Sequence, residues 1–443
     1  MLKTLINAFK VKDLRKKLYF TFFCLVVVRL GSQVPAPGIN QELVKSWLGN
    51  LDLGFFDALT GGSFTSMSIL ALNISPYINS SIIMQLMTIA IPSLAELQKD
   101  GETGRKKIAE ISRYLTIVLA LIESSAMAIG FSRSGYTNDK KVTTILIIIA
   151  AFTAGSAFLM WLGENITEYG VGNGISIILT INIVAKLPSD IKNLFNMFVK
   201  GADSKGKGLL AAIVILAVIL ATVVLIILLQ DATRRIPVQY SKKVVGRKML
   251  GGNSSFIPLK VNTSGVIPVI FAISLFQFPM IIASFFGVKG AVGPDASFGQ
   301  KILYLINDDN WFNFNSLADF KYTLGVLIYI LLIIFFAYFY TSVTFNPMEV
   351  SNNMKKNGGF IPGIRPGKPT TDYLTGVLNK IVFIGAVMLC VVALIPIFFS
   401  GAFGARVSFG GTSLIIVVGV VLETLNQVES MMIERHYKGF LNA

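Results

Sequence analysis

Residues 61–92 read GGSFTSMSILALNISPYINSSIIMQLMTIAIP, and this stretch organises the chain. It starts as a weakly amphipathic segment containing Gly and Ser, is interrupted at Ser75-Pro76, and resumes as an apolar run. That run is too short to span a bilayer comfortably, since a spanning helix needs about 20 apolar residues. In hydrocarbon every backbone N–H and C=O must find a partner within the protein. A broken hydrophobic helix therefore survives only where protein encloses it or where it lines a watery cavity. The stretch is expected to line a path through a membrane protein.

Composition fits that setting. The chain has 443 residues, of which 53% are hydrophobic and 14% charged, and its mean hydropathy is +0.67. These values exclude a soluble domain and call for many spans. The net charge of +15 suits inner loops rich in Lys and Arg, which can also meet anionic lipid, RNA or acidic proteins. Cys24 and Cys390 sit in apolar runs, and His436 is the single histidine, so no disulfide framework, catalytic cluster or metal site is expected.

Taken in order, a basic N-terminal segment leads into an apolar run from Leu18 to Leu30. Arg29 interrupts this run and VPAPG follows it, which favours a retained first span over a cleaved signal peptide. After the broken stretch, apolar runs lie near 114–131, 142–162, 175–188, 209–229, 261–286, 322–345, 374–398 and 411–428. The total is about ten spans by length, with both termini on the inner face. The loops at about 231–262 and 346–373 are strongly basic and belong inside. One segment runs against this rule: the link 191–208 falls outside by the count, yet holds Lys192, Lys200, Lys205 and Lys207. The chain divides into an N-terminal half (1–190), that link, and a C-terminal half (209–443).

The second run of each half is Pro-interrupted, as SPYINSSIIMQ and SGVIPVIFAIS. Matching broken helices in two halves point to a central path between inverted repeats. Such symmetry also suits an inverted-repeat secondary transporter of a small solute, although no paired charges flank the breaks.

Several long strings carry a resemblance: GVGNGISIIL (170–179), RRIPVQYSKK (234–243), PLKVNTSGVIPVIFA (258–272), NPMEVSNNMKKNGGFIPGIRPGKPT (346–370) and FGGTSLIIVVGV (409–420). In these the chain resembles the SecY family, the channel-forming subunits of bacterial protein translocons, along essentially its whole length. The resemblance implies an all-α polytopic membrane protein in the plasma membrane. Ten helices would form two inverted five-helix halves, with a re-entrant plug helix and a lateral gate to lipid. No cofactor is implied and no enzymatic step.

Carried over residue by residue, the resemblance puts a pore ring at Ile78, Ile82, Leu179, Ile183, Ile270 and Ile416. Leu179 stands where isoleucine is common in the family. A plug is implied at about 61–73, with Gly61, Gly62, Ser63, Phe64, Ser66, Met67, Ile69 and Leu70. Its Gly and Ser content suggests that it leaves for water at little hydrophobic cost. The lateral gate would involve Ser81, Gln85, Glu123, Ser274 and Phe278, and Glu123 is expected to avoid lipid.

Two basic surfaces complete the implied site: Arg234, Arg235, Lys242, Lys243, Arg247 and Lys248, and then Lys355, Lys356, Arg365 and Lys368. By resemblance they dock the motor ATPase SecA or the ribosome, whose RNA phosphates and proteins reward clustered cations. SecE-type and SecG-type small subunits, signal peptides, nascent chains and membrane lipids are the other implied partners, with delivery by the signal-recognition pathway. The Gly-rich segment 201–208 is discounted as a phosphate loop, because Gly208 stands where Ser or Thr must hold magnesium.

Overall fold

The computed structural model describes residues 9–48, 60–139, 141–200, 205–240, 243–245, 248–250, 254–285, 297–307, 311, 323–403 and 411–441. Helix α1 (Lys12–Gly31) rises from the basic N-terminal segment and buries Leu14, Thr21, Cys24 and Val28, a single stripe at helical spacing. A short α2 (Gln41–Leu48) precedes the opening stretch. That stretch reaches α3 (Ser75–Ala90), where Pro76 occupies the first turn and its missing N–H costs nothing. At Ile91-Pro92 the chain bends by 105° into α4 (Pro92–Lys99). The rest of the first half is α5 (Gly101–Ser134), α6 (Val142–Tyr169) and α7 (Gly174–Leu194). The second half holds α8 (Lys205–Asp231), α9 (Ile267–Phe285), α10 (Phe298–Ile306), α11 (Leu324–Thr344), α12 (Pro347–Lys356), α13 (Lys368–Phe403) and α14 (Gly411–Leu441).

Among the described residues, 7 helices are long and apolar enough to cross a membrane, or 8 if the bent pair α3–α4 is one span. Helices α1 and α9 occupy the expected first and seventh places. The basic start of α1 keeps its apolar stretch short, which is why length and apolarity alone pass over it.

Three features depart from the expectations. First, most of the link at 191–208 is helical, because α7 continues through Pro188 to Leu194 and then widens into a π turn, Phe195–Lys200. Proline removes one i→i−4 bond, and here the helix absorbs that loss. Second, residues 61–74 form a chain of turns and not a plug helix. Gly61 (φ 62), Gly62 (φ 83), Met67 (φ 45) and Asn73 (φ 52) lie in the left-handed region, which no right-handed helix accommodates.

Third, the two basic loops are not all-helical. Strands β1 (Thr233–Tyr240), β4 (Ser254–Lys260) and β5 (Gly359–Phe360) form a three-stranded sheet in the order β4-β1-β5. Strands β2 (Lys243–Val245) and β3 (Lys248–Leu250) pair separately at the tip. Ile236 faces Ile257 across β1 and β4, while Gln239 faces Phe360 across β1 and β5. Ile236 and Val238 alternate inward along β1 and pack with Leu259, Met354, Ile361 and Leu374.

Three apolar clusters set the frame. One lies in the second half, where Phe276 and Tyr329 pack on Trp311 and Phe271 meets Phe336 edge-on. A second joins Phe64 and Met67 of the turn segment to Phe131, Ile148 and Phe152 of the first half. The third sits between the halves and gathers Cys24, Val28, Leu70, Ile74, Leu159, Leu179, Ile183 and Ile416.

Close backbone approach seats the turn segment on α6. A Cβ at Gly155 would strike the Ile69 carbonyl, so only glycine lets α6 run against this backbone. Replacing Gly155 with Val is expected to destabilise the protein by about 1–3 kcal/mol, the usual cost of overpacking. The check is thermal unfolding of the purified protein in detergent, and an unchanged Tm would show that the segment is not seated on α6.

Candidate functional site

The central cluster is built by six helices, α1, α3, α6, α7, α9 and α14, and the turn segment. Leu179 and Ile183 project one helical turn apart from α7 and are 4% and 1% exposed. Ile416 of α14 is equally buried, and half-buried Ile78 of α3 and Ile270 of α9 pack against the same group. Leu70 and Ile74 of the turn segment lie in it too. The structure thus brings Ile78, Leu179, Ile183, Ile270 and Ile416 together. Ile82, one turn further along α3, instead packs against the neighbouring cluster containing Val269, Ala272 and Phe276 of α9. It lies where α3 meets the second half, one helical turn along α3 from Ile78.

The turn segment meets its backbone obligations locally and through the loop after α1. Ser66 N donates to Gly62 O and Ser68 N to Ser63 O. Ala36 N donates to Met67 O at 2.8 Å, and Ile69 N donates to Val34 O at 2.9 Å. Side chains add to this: Gln41 Nε2 reaches Ser66 O at 2.9 Å, and Arg29 Nη1 reaches Gly61 O at 3.3 Å.

The expectation of cheap release does not hold. Phe64, Met67 and Leu70 are 2%, 0% and 2% exposed. Returning three such side chains to water costs roughly 5–9 kcal/mol, at about 1.5–3 kcal/mol each. The Gly and Ser residues shape the turns, but the large apolar side chains between them set the energy.

The gate residues are distributed as follows. Glu123 of α5 accepts from Asn79 Nδ2 of α3 at 3.1 Å. Ser80 donates to Ser112 O at 2.7 Å, a second polar link between the same two helices. Glu123 is thus held inside the first half and away from lipid, as its cost in hydrocarbon demands. Ser81 and Gln85 are half-buried on α3 and Ser274 is half-buried on α9, which itself lies against α5. The side chain of Phe278 lies outside the described residues.

The two basic loops form one platform, because β5 adds to the edge of β1 and joins them. Arg234 and Arg235 are exposed on β1, with Arg235 over the Phe256 ring at 4.9 Å. Lys355 and Lys356 are exposed at the end of α12, and exposed Lys368 begins α13. Arg365 sits between them, exposed on a turn whose backbone is pinned by Thr370 Oγ1 to Arg365 O at 2.8 Å and Ser351 Oγ to Gly367 O at 3.0 Å. None of these cations takes part in an ion pair among the described residues. Lys242 and Arg247 lie outside the described residues, as do the side chains of Lys243 and Lys248 on β2 and β3.

Sequence reasoning passed over Asn79, Asn182 and Arg29 as site residues. Each is a polar side chain inside an apolar helix, and that position is itself a usable signal. Among the described residues no group of His, Cys, Asp and Glu is placed to hold a metal ion.

Comparison with known proteins agrees with this geometry. A family model described as SecY matches residues 68–425. The protein translocase subunit SecY of Halalkalibacterium halodurans is 43% identical over 447 residues, covering 100% of both chains. That of Bacillus subtilis is 42% identical over 451 residues, again with full coverage of both. In fold, the chain is similar to a solved protein-conducting channel, with a TM-score of 0.62 at 17% identity over 94% of this chain and 92% of the other. It is as similar to an idle yeast Ssh1 complex bound to the yeast 80S ribosome, with a TM-score of 0.62 at 17% identity over 95% of this chain and 89% of the other. The aliphatic cluster between two halves, the enclosed turn segment and the full-length relatedness agree: the chain belongs to the SecY family.

Proposed function

We propose that the collar of Ile78, Leu179, Ile183, Ile270 and Ile416, stoppered by residues 61–74, is the seal of this channel, and that the α3–α9 face is its door to lipid. Family membership makes the chain a multi-pass protein-conducting channel subunit, neither an enzyme nor a solute transporter. The observation carrying the seal is the convergence of α3, α7, α9 and α14 with Leu70 and Ile74 in one apolar cluster.

The physics follows from that lining. A narrow aliphatic ring resists wetting and offers ions no replacement for their hydration shell, while giving a moving polypeptide no strong binding site. Ring residues come from both halves, so parting the halves widens the ring and the α3–α9 face together. Opening must also offset the burial of Phe64, Met67 and Leu70. An apolar signal segment seated between α3 and α9 supplies energy of that kind, since its own burial is worth about 25 cal/mol per Å². Signal hydrophobicity and stopper burial are thereby weighed against each other.

The inner platform is the drive site. Exposed Arg234, Arg235, Lys355, Lys356, Arg365 and Lys368 lack carboxylate partners in the described part of the chain, so an anionic surface binds without first breaking internal pairs. The ribosome or SecA fits this role, and the ribosome-bound yeast complex of similar fold supports the first. The platform lies on the cytoplasmic side of the plasma membrane, as do both termini, in keeping with the basic loops. SecE-type and SecG-type subunits assemble around the outside.

Purified channel in vesicles is expected to translocate a secretory precursor only when SecA and ATP, or a translating ribosome, are supplied. Absence of translocation under either drive would overturn the reading. In planar bilayers Ile183→Asn and Ile270→Asn are expected to raise resting ion conductance several-fold, and Ile82→Asn to raise it less. Equal conductance in all three and the parent would remove the collar.

Arg365→Glu is expected to cut driven export at least about ten-fold while membrane insertion stays normal, the scale of one lost charge-assisted contact plus repulsion. If RNA is the partner, removing one phosphate contact also lowers the salt slope of ribosome binding by about 1. Normal export by this variant would remove the platform from the drive step.

A further inference from the structure

Arg29 is the one charged side chain on the outer half of α1, and its position is unfavourable on general grounds. A cation near the outer end of a first span opposes the positive-inside bias, and an ionisable group within a span is costly unless it is partnered. An arginine so close to the helix end ordinarily snorkels to the water interface. This one turns inward and is half-buried. Its Nη1 donates to Gly61 O at 3.3 Å and to Asn182 Oδ1 at 3.4 Å. Among the described residues no carboxylate pairs with it.

The two acceptors matter by their places. Gly61 is the first residue of the stopper. Asn182 is 2% exposed and stands on α7 directly before the collar residue Ile183. One guanidinium therefore ties the first span, the stopper and the collar helix at a single point. The space is fitted to it: a Cβ at Gly61 would come within 2.7 Å of Arg29 Nη1 and 2.9 Å of Asn182 Cα. Gly61 also has φ 62, so both space and backbone demand glycine there. Arginine suits the junction because its planar fork presents several donors to acceptors on different elements, whereas lysine offers one compact ammonium.

We propose that Arg29 is the latch of the stopper, a specificity-determining residue whose hold sets how apolar a signal sequence must be to open the channel. Both contacts are longer than the usual N–H···O range of about 2.7–3.2 Å, which suits a hold that breaks at each opening. The acceptors, and the further anchors of the segment at Val34, Ala36 and Gln41, all belong to the first half of the chain. The latch thus keeps the stopper with the first half. A signal segment that parts the halves at α3 and α9 strips the stopper of its contacts with Ile270 and Ile416 before Arg29 lets go. This inference rests on the channel reading above.

The test uses the full chain assembled with its small partner subunits, as single channels in planar bilayers and as vesicles given precursors with graded signal hydrophobicity. Arg29→Gln is expected to raise the resting open probability per channel about ten-fold, the loss of one charge-assisted hydrogen bond. It should also admit precursors whose weakened signals the parent rejects. Asn182→Ala should shift both readouts the same way and less, and Arg29→Lys should recover part of the stringency. A merely structural arginine would lower accumulation and Tm but leave open probability per assembled channel at the parent value, and that result overturns the latch. If Arg29→Gln does not accumulate, Asn182→Ala decides, and parental open probability and stringency in that variant also overturn it. Translocation of the strong-signal precursor by the parent in the same vesicles tests the channel reading separately.

Discussion

The rest of the structure depends on one obligation: a backbone that leaves helical geometry at membrane depth must have its N–H and C=O groups satisfied by protein. Residues 61–74 are such a backbone. They meet the obligation with short-range turns, such as Ser68 N to Ser63 O, and by borrowing the loop after α1, where Ala36 N and Val34 O pair with Met67 O and Ile69 N. Each borrowed bond needs an element placed to supply it, so the first half closes around the segment. Gly155 of α6 completes the enclosure by leaving room for the Ile69 carbonyl.

Enclosure explains why the stopper both carries several Gly and Ser residues and is deeply buried. Its turns need Gly and Ser, but its fit in the enclosure comes from Phe64, Met67, Leu70 and Ile74. Composition averages over the two roles and so understates the cost of release. The energy of a buried segment resides in the few side chains that touch its container, and their contacts are invisible until the container is known. The fold also adds a contact that the family resemblance does not name: Ile82 packs on the α9 cluster of the second half, while Ile78, one turn before it, packs with Leu179 and Ile183.

Much of the fold is legible in the sequence, for physical reasons. The break at Ser75-Pro76 shows because proline can begin a helix but not continue one. The long spans show because hydrocarbon thickness fixes their length. The inner sheet is harder to see: RRIPVQY and SSFIPLK alternate correctly, yet each contains a proline and the first is crowded with charge. The strand β5 is only 2 residues long and exists through its pairing with β1, so nothing local announces it. The helical stretch beyond Pro188 is missed for the opposite reason, because a local breaker is overridden by its context. Among site residues, Arg29 and Asn182 carry a signal in being polar within apolar runs. Their meeting, across 153 positions of sequence, is a property of the fold.

In the proposed reading, the basic platform couples drive to gate through a small sheet. Strand β1 follows α8 and β4 leads through a short turn into α9, while β5 lies between α12 and α13. A displacement of the sheet therefore bears on α9 through the chain itself. Leu259 of β4 and Leu374 of α13 share one small core with Ile236 and Met354, so the sheet and the second half tilt together. The first half is held by different bonds, among them Asn79 to Glu123, Ser80 to Ser112 and the Arg113–Glu164 ion pair at 2.7 Å. These tie α3, α5 and α6 to one another within that half. In the proposed opening, rigidity inside each half with an apolar seam between them lets one motion widen the ring and open the side, because apolar contacts separate without leaving unpaired polar groups behind.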